Sequence, residues 1–475
     1  RVLCNPGSRR QKAVLALFAC AQILLFFFLI RAADYSTDPA DSPYPALAEA
    51  LAEGHFYLDD EPHPNLVAME NPYDTGARDE FEISYKWDYA YYEGKYYVYF
   101  GVTPVLLFYL PYYLITGEAL TLQVTFYFCA VFFVIGSLLL LWKLVTARFK
   151  KTPFLVFLMT AAAFINGIGS FYLFSHPKFY SEANLFALVF AVWGLYFWFR
   201  ALHTDSRRGQ AVSFAAGSLC IALIAGCRPQ MLLLCFLAIP LMWSYFFRRE
   251  NRRMFLIFLL PLAAFGIWTM YYNYARFGSV FDFGATYNLT SNDMTRRGFV
   301  LGRIPLGIFS YLLQPVQLNS QFPYIEQILV ESGYMGITIT EPLYGGFFWT
   351  APLAAMCFGI RAVKAQLKEK NLWGFSLLSI LFALVLVILD TEMAGILPRY
   401  YSDFSIFFFL PALFCLLSIL ETSGDDISRN RWLLLTVILC AVGLIYQFFM
   451  IFADQDTNLS EELFQKISYL IQFWK

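Results

Sequence analysis

Long apolar segments recur along almost the whole chain and are separated by short polar stretches. Each approaches the roughly 20 residues that an α-helix needs to cross the hydrocarbon core of a bilayer. The eleven segments are 13–30, 122–145, 154–174, 179–199, 211–227, 229–247, 254–274, 344–360, 372–389, 404–420 and 432–452. The pattern predicts an all-α polytopic membrane protein, a single membrane domain over residues 1–475 with about eleven transmembrane helices.

A twelfth apolar stretch, 100–115, is shorter and contains Pro104 and Pro111. If this stretch does not span, most of the 34 lysines and arginines fall in short segments on the side of the N-terminus. That is the distribution expected of cytoplasmic loops. We therefore predict an element that is juxtamembrane or re-entrant, a cytoplasmic N-terminus, and a C-terminus outside an inner (plasma) membrane. The apolar run 13–30 carries no cleavage signature, so we interpret it as an anchor.

Two long polar segments, 32–121 and 275–343, then lie on the outer face. The first is acidic and should contain juxtamembrane helices. Within it, Pro43–Glu53 has the features of a short amphipathic helix, with Ser42 as N-cap and Gly54 as terminator. The tail 459–475 carries an apolar stripe typical of an interfacial helix. The other loops are short and basic, so we expect the chemistry on the outer face.

Composition agrees with lipid as the solvent, since 59% of the residues are hydrophobic and 15% are charged, against about a quarter charged in soluble domains. The net charge of −1 gives no reason to expect a nucleic-acid partner. The nine cysteines predict neither a disulfide framework nor structural zinc. The run 59–61 is acidic and could bind a divalent cation, but adjacent acids are more often a solvated turn.

Carboxylates near the start of the first long loop are candidates for general acid–base chemistry. Asp41 immediately precedes the helix cap Ser42, which fixes its position near the membrane surface. Asp38 is a close competitor. Acids that merely keep the loop soluble remain the alternative interpretation.

Charged residues at the outer ends of the spans form a second candidate group, because a charge at membrane depth usually pairs or serves a site. Arg228 lies between two apolar runs with almost no loop, and Arg399 is followed by Tyr400. A guanidinium group matches phosphate oxygens with two hydrogen bonds, so a lipid phosphate is a natural ligand. The alternative is an arginine that contacts ordinary headgroups or pairs with Glu182 or Asp390.

These features occur in an order that resembles the GT-C superfamily of integral-membrane glycosyltransferases, which includes protein O-mannosyltransferases and lipid A aminoarabinose transferases. The shared pattern is one span, a long acidic outer loop with an aspartate near its start, and then many spans. The segments that carry the resemblance are 41–54, 94–117, 180–182, 228–229, 274–278 and 399–400.

The resemblance implies a GT-C-like fold and transfer of a sugar from a polyprenyl-phosphate donor to a lipid, glycan or protein acceptor, with no certain cofactor. Asp41, or else Asp38, would deprotonate the acceptor hydroxyl, and transfer would invert the anomeric centre. Arg228 and Arg399 would hold the departing phosphate. Supporting roles would fall to Tyr44, His176, Lys178, Glu182 and Tyr400. The chain departs from many relatives, which have Asp-Glu where Asp41 is followed by Ser42.

Two other functions are open on the sequence: a transporter of lipid-linked substrates and a polysaccharide polymerase of the O-antigen kind. A transporter would place its charges near the bilayer midplane and often has inverted repeats. A polymerase usually carries its large outer loop late in the chain. A structural membrane protein would have no cavity joining Asp41, Arg228 and Arg399.

Overall fold

Helices account for most of the structure, a computed structural model that describes residues 2–33, 35–329, 341–453 and 461–472. The α-helices are α1 (Arg9–Ala32), α2 (Pro43–Glu53), α3 (Pro64–Ala68), α4 (Thr75–Glu80), α5 (Val102–Pro104), α6 (Leu110–Thr116), α7 (Leu122–Arg148), α8 (Phe154–Gly167), α9 (Ser170–Ser175), α10 (Phe179–Ala201), α11 (Arg207–Leu223), α12 (Ala238–Phe246), α13 (Arg252–Phe277), α14 (Arg303–Ile308), α15 (Phe347–Thr350), α16 (Lys364–Glu369), α17 (Trp373–Met393), α18 (Tyr401–Thr422), α19 (Asp426–Ala453) and α20 (Glu461–Ile471).

Tighter and wider helical turns extend several of these elements. The 3₁₀ segments are Pro39–Asp41, Ile224–Gly226, Pro229–Leu237, Arg249–Asn251, Ala285–Tyr287, Met294–Arg296, Pro352–Val363 and Pro398–Tyr400, and the π-helical segments are Val105–Tyr109 and Phe309–Leu313. Two short antiparallel hairpins pair β1 (Ala90–Tyr92) with β2 (Lys95–Tyr97), and β3 (Gln317–Leu318) with β4 (Ile325–Glu326).

Nine helices in the described part of the chain are long and apolar enough to cross a membrane. They are Arg9–Ala32, Leu122–Arg148, Phe179–Ala201, Arg207–Gly226, Pro229–Phe246, Arg249–Phe277, Trp373–Met393, Pro398–Thr422 and Asp426–Ala453. Many of their large apolar side chains are exposed, as expected where lipid replaces water. The chain is therefore an all-α polytopic membrane protein.

The other two predicted spans, 154–174 and 344–360, are each divided into shorter segments. Gly169, with φ +82°, separates α8 from α9. A Cβ atom at Gly169 would stand 2.6 Å from the backbone nitrogen of Ser402, so α18 approaches too closely for another residue. In the second segment, Ala351 has a non-helical backbone (φ −132°, ψ 67°) before Pro352, and the helical conformation is disfavoured for the residue before a proline. The count of eleven spans stays a prediction.

Local signals predicted the short helices well. The predicted bounds of α2 are confirmed: Ser42 Oγ accepts a hydrogen bond from the backbone of Tyr44, and Gly54 ends the helix with φ +93°. The stretch 100–115 overlaps the helical segment Val102–Thr116, which is apolar but short. In the tail, Phe464 of α20 packs on Phe322 at a ring distance of 5.1 Å. Residues 454–460 and 473–475 of the tail lie outside the described residues.

The centre of the bundle is α18, which with its preceding 3₁₀ turn is the most buried of the nine long helices. It packs against α10, α17, α19 and the 3₁₀ segment Pro352–Val363. Phenylalanine supplies much of this contact, as in Phe404 and Phe408, which are both buried. By contrast, α1 and α13 lie at the periphery and expose most of their surfaces.

The two long polar segments pack together instead of forming separate loops. The backbone nitrogen of Asp88 donates to the carbonyl of Leu289 at 2.9 Å, and Leu289 donates back to Tyr89 at 3.0 Å. The buried guanidinium of Arg276 donates to the carbonyl of Val98 at 2.7 Å. Side chains from both segments therefore converge at one end of the helix bundle.

Small residues allow α10 and α11 to approach closely. A Cβ atom at Gly217 would stand 2.5 Å from Cδ1 of Trp198, a fully buried side chain, and 3.0 Å from the carbonyl oxygen of Gly194. Such small-residue contacts are typical of helix pairs in membranes. A side chain at Gly217 requires the Trp198 indole to move.

We expect Gly217→Ala to lower the unfolding temperature in detergent, because overpacking a well-packed contact costs about 1–3 kcal/mol. Gly266→Ala is the matched control, since Gly266 also lies inside a helix and a Cβ atom there would meet no neighbouring atom within 4 Å. Both changes gain the same helix propensity, up to about 1 kcal/mol, so their difference isolates the contact. Equal unfolding temperatures for the two variants would contradict this packing.

Candidate functional site

Arg228 lies in the break between two long helices. The 3₁₀ turn Ile224–Gly226 ends before it, and Pro229, which has no backbone N–H, starts the next segment. Arg228 Nε donates to Asp403 Oδ2 at 3.0 Å, and its Nη2 donates to the same carboxylate. Asp390 Oδ1 lies 3.8 Å from Arg228 Nη2. Arg228 is thus paired with carboxylates from the facing ends of α17 and α18.

Gln230 completes this buried ion pair. Its Nε2 donates to Asp403 Oδ2 at 2.9 Å and to Asp390 Oδ1 at 3.4 Å. Asp403 is fully buried and Asp390 nearly so. Asp390 Oδ2 has no hydrogen-bond partner among the described residues. Asp390, one of the two partners that the sequence suggested for Arg228, therefore does lie near it. Asp403, which the sequence did not suggest as a partner, is closer.

Tyr400 brings the two predicted phosphate-binding arginines together. The Cζ atoms of Arg228 and Arg399 lie 4.4 and 5.1 Å from the centre of its ring. Arg399 also lies 5.0 Å from the ring centre of Tyr180 and forms an ion pair with Glu341. Cations over aromatic faces are held by the quadrupole of the ring. Arg228, Arg399 and Tyr400, which were selected from the sequence, thus form one cluster.

The second long loop adds two arginines that the sequence had not singled out. Arg297 Nε donates to the backbone carbonyl of Glu392 at 3.1 Å. Arg303 Nη1 lies 3.6 Å from the Glu392 carboxylate, which also accepts a hydrogen bond from the backbone of Val300 at 2.9 Å. Burial lowers the pKa of Arg297 to about 10, against the opposing influence of Tyr400. Arg297 and Arg303 therefore meet at Glu392, and Arg297 lies within electrostatic range of Tyr400. We call Arg228, Arg297, Arg303 and Arg399 the arginine cluster.

Some guanidinium nitrogens in this cluster are buried without a partner. Among the described residues, Arg297 Nη2 and Arg303 Nε and Nη2 have no hydrogen-bond acceptor. No carboxylate oxygen of the described residues lies within 4.0 Å of an Arg297 nitrogen, whereas Arg228, Arg303 and Arg399 each have one. Buried N–H groups without acceptors are rare in proteins. Arg297 is therefore the member of the cluster best able to accept an anionic ligand.

In the first long loop, the structure identifies a further candidate carboxylate, Asp88, which the sequence had not singled out. It has φ +62°, and its Oδ1 accepts hydrogen bonds from Asn288 and, at 3.4 Å, from the hydroxyl of Tyr99. Burial raises the pKa of Asp88, while a hydrogen bond from Tyr180 and the charge of Arg399 act in the opposite direction. Asp88 therefore lies near Tyr180 and Arg399, which contact each other in the arginine cluster. Its place in the aromatic run 82–99 was the available sequence signal.

The two carboxylates predicted as general bases are both exposed to solvent. Asp38 caps the 3₁₀ turn Pro39–Asp41, with its Oδ1 accepting from the backbone of Ala40 at 2.9 Å. Asp41 ends that turn. Burial raises the pKa of Tyr89 to about 12, with further contributions from the carboxylates of Asp60, Asp41 and Asp88. Tyr89 therefore lies within electrostatic range of both Asp41 and Asp88.

Tyr44 and Glu182 are fully buried and lie together with Tyr109. The hydroxyl of Tyr109 donates to both carboxylate oxygens of Glu182 at 3.0 and 2.9 Å. The rings of Tyr44 and Tyr109 meet edge to face at 5.7 Å. Burial raises the pKa of Tyr44, and Glu182 and Arg228 act on it in opposite directions. Glu182 therefore pairs with a tyrosine, and not with Arg228 in a salt bridge.

His176 and Lys178 lie at the start of α10. His176 Nδ1 is 2.9 Å from the backbone carbonyl of Tyr172, and the two rings stack at 3.9 Å. Lys178 precedes the first residue of α10 and is exposed. Further along α10, Asn184 Nδ2 donates to the carbonyl of Arg399 at 3.0 Å. This last contact fixes α10 against the turn that carries Arg399 and Tyr400.

Comparisons with known proteins give no relative from which a function could be inferred. No protein-family model matches the chain, and no curated protein matches it. The site must therefore be interpreted from its own geometry.

The acidic run 59–61 does not converge on a single point. Asp60 forms an ion pair with Lys86. Asp59 instead faces His55 at 3.4 Å. Two of the three adjacent acids thus point to different partners, which does not favour the alternative of one cation held by all three.

We expect Asp403→Asn to destabilise the protein by about 3 kcal/mol, because removing one partner leaves a buried arginine without its counter-charge. Asp390→Asn is the matched control and should cost less, since Asp390 lies 3.8 Å from Arg228 and one of its oxygens lacks a partner. Unfolding temperatures in detergent measure both. A larger loss of stability for Asp390→Asn than for Asp403→Asn would show that Asp390, and not Asp403, is the main partner of Arg228.

Proposed function

We propose that this protein is a membrane glycosyltransferase of the GT-C type, which moves a sugar from a polyprenyl-phosphate donor to an acceptor outside the cytoplasm. The observation that carries the proposal is the convergence of Arg228 and Arg399 on Tyr400, with Arg297 within electrostatic range of the same tyrosine. Arginine is the residue best suited to phosphate oxygens, and a membrane bundle gives a polyprenyl chain an apolar path.

The proposed topology has eleven spans, a cytoplasmic N-terminus and a C-terminus outside an inner membrane. It counts the two divided segments, α8 with α9 and α15 with Pro352–Val363, as spans. The bias of lysine and arginine toward the short loops supports this orientation. In this topology the arginine cluster and both long loops lie outside the cytoplasm, where lipid-linked sugars meet their acceptors.

The donor phosphate would bind where guanidinium N–H groups are still free. Three of the arginines already have a carboxylate partner, namely Asp403, Glu392 or Glu341. These three arginines therefore have less capacity to bind a further anion. Arg297 has a free Nη2 and no carboxylate partner among the described residues. We therefore assign Arg297 as the principal phosphate ligand, with Arg228 and Arg399 supplying additional positive potential.

In the proposed reaction a carboxylate takes the proton of the acceptor hydroxyl, whose oxygen attacks the anomeric carbon. The bond from that carbon to the phosphate oxygen breaks with inversion, and the electron pair leaves on the polyprenyl phosphate. The arginines stabilise the charge that develops on this phosphate. The protonated carboxyl then loses its proton to water. No step requires a metal or other cofactor.

Two carboxylates of the first long loop are candidates for the base. Asp41 is the one that the resemblance implies, with Asp38 as its competitor. Asp88 has the better surroundings, because it is partly buried, accepts a hydrogen bond from Tyr99 and is influenced by Arg399. A pKa raised by burial also suits a general base, which works best when its pKa approaches the working pH. We therefore propose Asp88 as the base.

We expect polyprenyl phosphate to raise the unfolding temperature of the purified protein, and polyprenol of the same length to have a smaller effect. Arg297→Gln should weaken binding of polyprenyl phosphate about 10-fold or more, because a hydrogen bond to a charged group contributes about 1.5–3 kcal/mol. Arg296→Gln is the matched control, since its exposed side chain pairs with Asp293. Equal stabilisation by the phosphate and the alcohol would contradict the proposed site.

We expect Asp88→Asn to reduce sugar transfer by about 100- to 10,000-fold, the usual contribution of a general base, while Asp41→Asn and Asp38→Asn stay active. Transfer from a panel of polyprenyl-phosphate sugars in membranes measures this. Because burial raises the pKa of Asp88, the wild-type rate should fall on acidification at a higher pH than for an ordinary aspartate.

Binding of polyprenyl phosphate by Asp88→Asn is the control for folding. Loss of sugar transfer in Asp41→Asn alone would identify Asp41, and not Asp88, as the general base. Full sugar transfer in all three variants would contradict the proposal that one of these carboxylates acts as the general base.

A further inference from the structure

A histidine and two carboxylates meet away from the arginine cluster, at the end of α2. Glu53 is the last residue of this helix, and Gly54 turns the chain so that His55 follows with its backbone nitrogen bonded to the carbonyl of Ala50 at 3.0 Å. Leu58 is buried, and its backbone donates to the carbonyl of Tyr96 at 2.8 Å. The segment is therefore held between α2 and β2.

Three potential ligand atoms from this segment lie together. His55 Nε2 is 3.3 Å from Glu53 Oε2 and 3.4 Å from Asp59 Oδ1, and all three atoms lie within 4.8 Å of one another. The carboxylates are about 60% exposed and the histidine 19%. The three groups are thus close to each other and open to solvent.

The contact of the other ring nitrogen determines the tautomer of His55. Its Nδ1 lies 2.9 Å from the backbone carbonyl of Tyr57, an oxygen that can only accept, so Nδ1 carries the proton. The ring of Tyr57 stacks on His55 at 4.2 Å and fixes its orientation. In this tautomer the lone pair of Nε2 points toward two carboxylates, at 3.3 and 3.4 Å. A metal ion between these atoms would bind all three groups.

The distances favour a metal ion. A proton on Nε2 would make charge-assisted hydrogen bonds, which are usually about 2.7–2.9 Å long. Ligands about 2.0–2.1 Å from a tetrahedral Zn²⁺ stand roughly 3.3–3.4 Å from one another. The two distances from His55 Nε2 have the tetrahedral value. A hydrogen bond from Nδ1 to a carbonyl is also the usual way in which a metal-binding histidine is oriented.

We propose that Glu53, His55 and Asp59 bind a divalent transition-metal ion of the Zn²⁺ class, with solvent in the fourth position. One imidazole and two carboxylates suit Zn²⁺ better than Mg²⁺ or Ca²⁺, which take oxygen ligands almost exclusively. The two negative charges balance the dication. The ion would fasten the end of α2 to the segment that leads to β1 and β2, and it is independent of the proposed sugar transfer.

The test is a titration of the full-length protein in detergent with ZnCl₂, after removal of chelatable metal and of any affinity tag. We expect one high-affinity site in the wild type. His55→Gln should weaken it by more than the roughly 10- to 100-fold that loss of a supporting residue costs. His63→Gln is the matched control, because His63 lies in the same loop and only caps α3. It should bind like the wild type.

Asp59→Asn provides a second variant should His55→Gln fold poorly, since the Asp59 side chain is largely exposed. It should also weaken the site, with an unchanged unfolding temperature in the absence of metal. Co²⁺ in place of Zn²⁺ should give the intense visible bands of a four-coordinate ion. Zn²⁺ affinity that is the same in wild type, His55→Gln and Asp59→Asn, or the weak spectrum of six-coordinate Co²⁺, would overturn the proposal.

Discussion

The buried ion pair between Arg228 and Asp403 is the interaction on which the rest of the site depends. Removing a guanidinium from water is costly, and its attraction to a carboxylate offsets that cost only when the geometry is good and the other hydrogen bonds are satisfied. Gln230 contributes to this, because it donates to both Asp403 and Asp390. The pair joins the break before Pro229 to the first turn of α18.

This pair fixes the position of Tyr400 and, through it, the other arginines. Tyr400 ends the 3₁₀ turn that leads into α18, three residues before Asp403. Its ring lies against Arg228 on one side of the cluster and near Arg399 on another. The second long loop then adds Arg297 and Arg303 through Glu392, close to the end of α17. The arginine cluster is thus assembled from side chains at the helix ends and in the second long loop.

Features set by local interactions were predictable from the sequence. The bounds of α2 follow from its cap and its terminal glycine, and Arg228 is conspicuous because it interrupts an apolar run. The division of 154–174 was not predictable, because Gly169 is required by the approach of Ser402 from a distant helix. Asp88 was missed for the same reason: its partner Asn288 is 200 residues away in the chain. Long-range packing thus partly buries one acid of an acidic loop.

The direct test of a phosphate site in this cluster is an experimental structure of the protein with polyprenyl phosphate bound. We expect the phosphate within hydrogen-bonding distance of Arg297 Nη2 and beside the ring of Tyr400, with the prenyl chain running between helices into the bilayer. A phosphate bound elsewhere, with the Arg297 guanidinium still without an anionic partner, would contradict this assignment.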